Sequence, residues 1–377
     1  MNSSEDSQAR GEEVRKQARH HEQHKAITMA DIARSAGVSQ GAISSLLNDR
    51  DYGIRVSEKT RERVFKVCRE LGYVPNDLRA VVRMYPERGE LTVLASNDIE
   101  HGITDPYLAR VVKGVAAATG DPSHPVTLAR FDAKANYDAM PHSVPHPVQW
   151  GTSSKFICVG KPNASLLQAI VRRGFPAVCV GHEVPIEGVT SIVPDYAAAS
   201  QMAVEYLFKL GHERIAILSG PFGTTEPQII EMNRGVRVAF DKTSLPIEAQ
   251  NIIYGDLTFQ NGFKSMDVLL SRQPKPTAIL CLNDAAAAGV LARTLAKGIK
   301  VPEEVSVMGC ADDAFSEYIH PALTTVHLPA EEIGEAAARE VERRVQEKEA
   351  GLLGAKTITL PVRLVERASC VAPKAHS

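Results

Sequence analysis

The stretch Val38-Ser39-Gln40-Gly41-Ala42-Ile43-Ser44-Ser45-Leu46-Leu47-Asn48 has the pattern of a short helix with one apolar face. Ser39 can accept a hydrogen bond from a free N–H group of the first turn, so the helix is predicted to begin just after it. At helical spacing the apolar face holds Ala42, Ile43, Leu46 and Leu47. The outer face is left with Gln40, Gly41, Ser44 and Ser45.

A second short helix is predicted just upstream. Thr28 can cap its start, with Asp31 three residues on, and Gly37 ends it in a tight turn. The two helices are joined by a turn that contains Gly, and the second helix presents small polar side chains. This arrangement matches the helix-turn-helix geometry, which places the second helix in the major groove of DNA. The alternative is a helix pair that occurs by chance in a helical protein.

A third helix follows and favours the DNA-binding interpretation. Val56-Ser57 gives it a capped start, Val64, Val67 and Leu71 form a predicted core stripe, and Gly72 ends it. Several blocks resemble, in order, the headpiece of lactose-repressor (LacI) family regulators: 27–33, 36–39, 56–61 and 71–76. The DNA-contacting residues are then expected to be Thr28, Ser39, Gln40, Gly41, Ser44, Ser45, Asn48, Asn76, Leu78 and Val82.

The resemblance extends to a hinge helix over residues 77–83. In relatives such a helix inserts an apolar side chain, usually Leu, into the minor groove and kinks the duplex. Val82 stands at that position here, and Arg79 stands where the family usually has Ala. On the recognition helix, Gln40 suits adenine, and the Arg that would pair with guanine is missing. The operator is therefore expected to differ from the family's common one.

From Glu90 onward, short apolar runs alternate with amphipathic helical stretches. Such runs are typical of strands buried on both faces of a parallel sheet. The series comprises 91–95, 126–128, 156–159, 177–180, 214–218, 251–254, 277–280 and 305–308. The pattern predicts two α/β lobes with parallel sheets.

These residues are similar to the family's regulatory domain, which resembles periplasmic sugar-binding proteins. The matching blocks are 206–216, 276–279, 283–289, 301–307, 321–326 and 360–367. The chain is thus expected to be multidomain: a disordered tail over 1–26, an all-α three-helix headpiece over 27–74, a hinge and linker over 75–89, and a two-lobed periplasmic-binding-protein-like domain for effector binding and dimerisation over 90–370.

Ligands of open parallel sheets sit beyond the carboxyl ends of the strands. Relatives place Asp, Arg and Asp as polar anchors at positions held here by Gly181, Met232 and Ala311. Other groups nearby are the candidates for effector binding: Asp98, Tyr107, His182, Arg234, Asn283, Asp284 and Asp312. Two alternatives remain open. The cleft binds a different small molecule, carbohydrate-related or less polar, or it has degenerated and the protein acts without a ligand.

Composition limits the other classes of function. The net charge is −2, with only a slight basic excess in the headpiece region, so two copies are expected to act together on DNA. The six cysteines occur singly, which favours small buried hydrophobes over a metal site or disulfide framework. The polar N-terminus and the lack of a long apolar run indicate a cytoplasmic protein.

The resulting prediction is a homodimeric, cytoplasmic transcription regulator that acts as a repressor on a pseudo-palindromic operator, without cofactor or metal. A solute-binding receptor would need a secretion signal, which is missing. An enzyme would need a catalytic constellation, and we find no nucleophile elbow, phosphate loop or metal-ligand spacing.

Overall fold

The computed structural model describes residues 27–48, 56–71, 73, 82, 89–99, 102–120, 125–140, 143–243, 245–347 and 354–374. The chain divides into two compact units, residues 1–89 with 150–152 and residues 90–149 with 153–377, and each is described here by itself. The tail expected over 1–26, and the hinge over 75–89 apart from Val82 and Gly89, lie outside the described residues.

The residues described in the first unit form three helices with defined bounds, as the sequence predicted. They are α1 (Met29–Ala36), α2 (Gln40–Asn48) and α3 (Glu58–Leu71). Their shared core includes Ile32, Ile43, Leu47, Val64 and Cys68. The predicted stripe on α3 was wrong at its end, because Leu71 is the last helical residue and is 37% exposed. Cys68, one turn after Val64 on the same face, is buried instead.

The second unit contains two lobes, each built on a six-stranded sheet. Lobe 1 has the strand order β11-β5-β4-β3-β1-β2, with all pairs parallel. Its strands are β1 (Glu90–Ser96), β2 (Val126–Phe131), β3 (Ser153–Val159), β4 (Ala177–Val180), β5 (Val189–Pro194) and β11 (Lys356–Leu360). The helices between them are α4 (Pro106–Thr119), α5 (His146–Trp150) and α6 (Ala164–Arg172).

Lobe 2 repeats this arrangement with the order β12-β10-β9-β8-β6-β7. Its strands are β6 (Ile215–Ser219), β7 (Ile252–Tyr254), β8 (Ala278–Cys281), β9 (Ser306–Ala311), β10 (Thr324–His327) and β12 (Arg363–Val365). Its helices are α7 (Tyr196–Lys209), α8 (Pro227–Asp241), α9 (Phe259–Leu270) and α10 (Asp284–Ala296). Only β12 runs antiparallel to its neighbour among the pairs described.

The chain passes between the lobes more than once. After β10 in lobe 2, α11 (Ala330–Glu347) returns to pack on α4 of lobe 1, where Ile333 and Val341 enter the core. Next, β11 extends the lobe 1 sheet and β12 extends the lobe 2 sheet. Each lobe therefore contains segments from distant parts of the sequence, and the connecting segments lie where the lobes meet.

Close helix packing depends on glycine. A Cβ on Gly114 of α4 would lie 1.9 Å from the carbonyl oxygen of Glu331, and one on Gly334 of α11 would lie 2.1 Å from that of Val111. In lobe 2, Gly262 of α9 and Gly289 of α10 approach each other's helix equally closely. These helix pairs are in backbone contact, so a larger residue at the crossing would force them apart.

Candidate DNA-binding helix and inter-lobe cleft

Local hydrogen bonds fix the start of α1 and that of the candidate DNA-binding helix α2, and a glycine ends α1. The Thr28 hydroxyl accepts the Asp31 N–H at 3.3 Å, and the Asp31 carboxylate accepts the Thr28 N–H at 3.0 Å, a reciprocal capping box. Gly37 ends α1 with φ at 62°, a left-handed conformation that glycine adopts without strain. The Ser39 hydroxyl then accepts the Ala42 N–H at 3.1 Å and caps α2.

The two faces of α2 divide as the sequence predicted. The inner face packs into the headpiece core through Ala42, Ile43, Leu46 and Leu47, each at most 7% exposed. Gln40 is exposed, and Gly41, Ser44 and Ser45 are half-buried. Asn48 is the last residue of the helix. The accessible surface of α2 is therefore small and polar, suited to contact with base edges.

Three of the predicted DNA contacts belong to the hinge. Asn76 and Leu78 lie outside the described residues. Val82 is helical and only 1% exposed, so its side chain is packed in the protein in this conformation. Its insertion into a minor groove stays a prediction, and insertion would require Val82 to leave that packing.

In the second unit, the carboxyl ends of the two sheets face each other across a cleft. Lys161, just after β3 in lobe 1, contacts Glu226, just before α8 in lobe 2, with 2.7 Å between Nζ and Oε1. The Tyr196 hydroxyl of α7 donates to the Gly181 carbonyl after β4 at 3.2 Å. The cleft is therefore bridged directly by side chains of the protein.

His182 contributes unpaired polar atoms to this cleft. It is 8% exposed, and neither ring nitrogen has a partner at good hydrogen-bond geometry among the described residues, although the Val180 carbonyl lies near enough to favour the charged ring. Nε2 lies 3.9 Å from Oε2 of Glu226. Burial lowers the pKa of His182, although Glu226, Asp98 and the Val180 carbonyl oppose that shift by favouring the charged form. A neutral imidazole offers one donor and one acceptor to a ligand.

Tyr107 adds a second unpaired group. Its hydroxyl is buried and has no hydrogen-bond partner. Burial raises the pKa of Tyr107 well above its usual value, so the phenol is neutral and can donate. Asp98, two residues after the end of β1, is exposed and accepts a hydrogen bond from the Ser96 hydroxyl. Tyr107, His182 and Asp98 therefore remain candidates for effector contact.

The comparisons with known proteins agree with this architecture. The family "Bacterial regulatory proteins, lacI family" matches residues 28–76, and "Periplasmic binding protein-like domain" matches residues 204–370. The "Probable HTH-type transcriptional repressor ExuR" of Bacillus subtilis (strain 168) is 29% identical over 325 residues, covering 86% of this chain and 93% of that protein. The chain belongs to the LacI family. It is accordingly a DNA-binding transcriptional regulator and not an enzyme.

Two solved structures of LacI-type regulators span nearly the whole chain. A complex of the transcriptional regulator CelR with cellobiose is 26% identical with a TM-score of 0.62, covering 91% of this chain and 99% of that one. The lac repressor dimer bound to operator and the anti-inducer ONPF is 25% identical with a TM-score of 0.62, covering 92% of this chain and 100% of that one.

Two positions where LacI-type relatives are expected to hold polar anchors carry residues without a polar side chain here. At Gly181, φ is 82°, and an added Cβ would make ordinary contacts with the hydroxyls of Tyr107 at 3.4 Å and Tyr196 at 3.5 Å, so tyrosine hydroxyls lie beside the position where relatives hold a side chain. Met232 is 3% exposed in the core of lobe 2. Neither position can hold a ligand through its own side chain.

Arg234 does not replace the missing guanidinium in this conformation. Its Nε and Nη2 donate to Glu231 on the same helix at 2.9 and 2.5 Å, and its side chain is 59% exposed. Arg234 forms an ion pair along the surface of α8 in this conformation, and its contact with an effector stays a prediction.

Three further candidates for effector binding, Asn283, Asp284 and Asp312, have hydrogen-bond partners within the protein. Asn283 caps α10 through Oδ1 and donates from Nδ2 to the Leu257 carbonyl at 2.6 Å. Asp284 is 0% exposed. Asp312 accepts from His327 Nδ1 at 2.8 Å and from Arg367 Nη2 at 2.6 Å. The polar atoms of these three side chains are bound by the protein in this conformation, so an effector contact from them stays a prediction that would require an exchange of partners.

Sequence reasoning missed Arg110, Lys161, Tyr196 and Glu226. Lys161 follows β3 by two residues, so the rule that ligand-site residues come just after each strand could have found it. Arg110 lies within α4, and its sequence context gave no sign that it reaches lobe 2.

Among the described residues there is no group of three metal-ligating side chains. Within that same part of the chain, no helix has the length and apolar character needed to cross a membrane.

Proposed function

We propose that this regulator is a repressor that binds a pseudo-palindromic operator as a homodimer. The observation that carries the proposal is the capped helix α2, which buries one face and leaves Gln40 exposed on the other. A half-site needs one such helix, and a symmetric site needs two copies of the chain. Two headpieces also double the number of phosphate contacts available to a protein with little excess positive charge.

We further propose that the cleft between the lobes binds a small neutral effector. Support comes from the buried hydroxyl of Tyr107 and the ring nitrogens of His182, for which the described residues supply no partner at good hydrogen-bond geometry. One relative is described in complex with cellobiose and another with bound ribose. A hydroxylated ligand would offer both donors and acceptors to these groups.

The alternative is a regulator whose cleft no longer takes a ligand. It is favoured by the loss of polar anchors at Gly181 and Met232 and by the side chains that already cross the cleft. Whether or not the cleft binds an effector, the proposed operator and the proposed homodimer are the same. A cytoplasmic location follows from the proposal, since a bacterial operator is located there.

Selection of bound sites from random duplex DNA with the full-length protein tests both points. The selection is run at one fixed salt concentration, because phosphate contacts make affinity strongly dependent on salt. Enrichment of a two-fold symmetric site supports the operator proposal, and absence of any enriched site contradicts it. A parallel selection with a pool of neutral sugars tests the effector: a changed enrichment supports a working cleft, and an unchanged one favours the alternative.

A further inference from the structure

Arg110 of lobe 1 extends its guanidinium into lobe 2. It lies on α4, in the first turns of the helix that follows β1. Its Nη1 donates to the carbonyl oxygens of Ala311 at 3.1 Å and Asp312 at 3.2 Å, and its Nη2 donates to that of Leu328 at 3.0 Å. The side chain is 15% exposed, so these hydrogen bonds are largely shielded from water.

The three acceptors belong to lobe 2. Ala311 is the last residue of β9, and Asp312 follows it directly. Leu328 comes just after β10 and packs in the lobe 2 core. A single side chain of lobe 1 therefore contacts the carboxyl ends of two neighbouring strands of the other lobe.

The turn that presents these carbonyls is held in place independently of Arg110. Asp312 has φ at 59°, a left-handed conformation that Asp tolerates better than most residues. Its carboxylate is fixed by His327 of β10 and by Arg367, and these partners hold the pKa of Asp312 at about 2. The acceptors are thus positioned in advance for the guanidinium.

Arg110 also occupies the region where LacI-type relatives are expected to contact an effector. Ala311 stands where the family resemblance places an Asp, and here its carbonyl binds Arg110. The other charged contact across the cleft, between Lys161 and Glu226, has partners that are 46% and 32% exposed. Solvent screens that ion pair, and Tyr196 makes a single hydrogen bond across the cleft, so Arg110, with three, is the strongest of these contacts.

We propose that Arg110 is a built-in bridge that closes the two lobes in the absence of an effector. The guanidinium supplies, from within the chain, the inter-lobe hydrogen bonds that a bound ligand would otherwise supply. The effector-free protein then rests in the closed arrangement, and a ligand changes the lobe equilibrium only by its differential affinity for the two arrangements. Closure by Arg110 does not depend on the identity of the effector or the operator.

The test measures the distance between the lobes in the full-length protein without added ligand. Spin labels are placed at Lys134→Cys in lobe 1 and Lys264→Cys in lobe 2, both exposed positions. Cys370, the one cysteine of six that is not buried, is changed to Ala so that labelling is confined to the introduced sites. Double electron–electron resonance then reports the distribution of inter-lobe distances.

The variants are Arg110→Ala, Arg110→Gln and the control Lys113→Ala. Lys113 lies on the same helix and pairs with Glu331 of α11, which packs on lobe 1, so its loss should leave the lobe arrangement unchanged. Doubly labelled subunits are mixed with an excess of unlabelled subunits, so that distances between the two copies of a homodimer do not contribute. The parent protein and Lys113→Ala should then give one narrow distance peak. Arg110→Ala should shift the peak to longer distances and broaden it, and Arg110→Gln, with fewer donors, should give an intermediate shift.

Two results would overturn the proposal. One is a broad or long-distance distribution in the parent protein, and the other is a parent-like distribution in Arg110→Ala. Circular dichroism establishes that each variant is folded before it is measured. If Arg110→Ala does not fold, Arg110→Gln decides: a parent-like distribution in that variant contradicts the bridge. A symmetric operator can still be selected when the bridge proposal fails, so the two tests are independent.

Discussion

Asp284, the first residue of α10, accepts the hydroxyl hydrogen bond of Thr325 in β10 with 2.7 Å between the oxygens. Its other carboxylate oxygen accepts the Asp313 N–H at 2.9 Å and the Ser316 hydroxyl at 2.7 Å. The carboxylate thereby ties the start of a helix to a strand and to the turn after β9. Burial raises the pKa of Asp284, and these three donors oppose that shift.

Asp284→Ala should lower the free energy of unfolding. Removal of the carboxylate leaves up to three donors without an acceptor in a buried site, at a cost of about 1–3 kcal/mol for each that finds no other partner. Asp284→Asn keeps one acceptor oxygen and should cost less. Urea unfolding of the full-length protein measures the difference, with exposed Asp256→Ala as the control. Equal stability of Asp284→Ala and the control would contradict the structural role.

Gly114→Ala should also destabilise the protein, although alanine is the better helix former by about 1 kcal/mol. The added Cβ would lie 1.9 Å from the Glu331 carbonyl oxygen, so α4 and α11 must separate. Overpacking of this kind costs about 1–3 kcal/mol and therefore outweighs the helix propensity. Gly354→Ala, where no described atom lies within 4 Å of the added Cβ, is the control for a glycine outside a helix crossing in the same urea experiment. A stabilised Gly114→Ala would show that the helices do not cross so closely.

Asp313 should make the protein less stable as the pH rises. Burial and the neighbouring Asp284 raise the pKa of Asp313 from 3.8 to about 7, against the opposing effect of Arg110. Between these two values the folded protein holds a proton that the unfolded chain has lost, so stability falls as pH increases toward 7 and levels off above it. Going from pH 5 to pH 8, the group accounts for a loss of about 2–3 kcal/mol, at about 1.4 kcal/mol per pH unit below 7.

Asp313→Asn removes this titration. The variant should lose less stability than the parent protein between pH 5 and pH 8, and its advantage should be largest at pH 8. Exposed Asp241→Asn is the control and should follow the parent protein at both pH values. Parallel pH profiles for Asp313→Asn and the parent would mean that the Asp313 carboxyl titrates normally.

Continuous apolar runs predicted most strands of the two sheets, but not all. Strand β5 was missed because its Thr190 and Ser191 interrupt the apolar pattern, although both are 0% exposed. The Thr190 hydroxyl donates to Glu340 of α11 at 2.9 Å, which allows a polar residue to be buried in the sheet. A pattern based on apolarity alone cannot anticipate a partner 150 residues away.

The headpiece could be predicted more fully than the cleft for a physical reason. Its caps act between neighbours in sequence, such as Thr28 with Asp31 and Ser39 with Ala42. The cleft depends on contacts between distant segments, and a polar residue after a strand can be bound by the protein as readily as by a ligand. Asp312 illustrates this, since its partners His327 and Arg367 come from later segments of the chain.

Gln40 should determine which base the recognition helix prefers at one position of each half-site. It is exposed in the first turn of α2, and its amide can donate and accept in the pattern that adenine presents in the major groove. Gln40→Ala should relax the preference at that position, with a loss of discrimination of about 1–3 kcal/mol. Affinity for non-specific DNA should change little, because phosphate contacts remain. Selection from random duplexes at fixed salt compares the two proteins, with Ser35→Ala on α1 as an exposed control. If both proteins selected the same motif, Gln40 would not recognise a base. Recognition by α2 would then have to come from Gly41, Ser44 or Ser45.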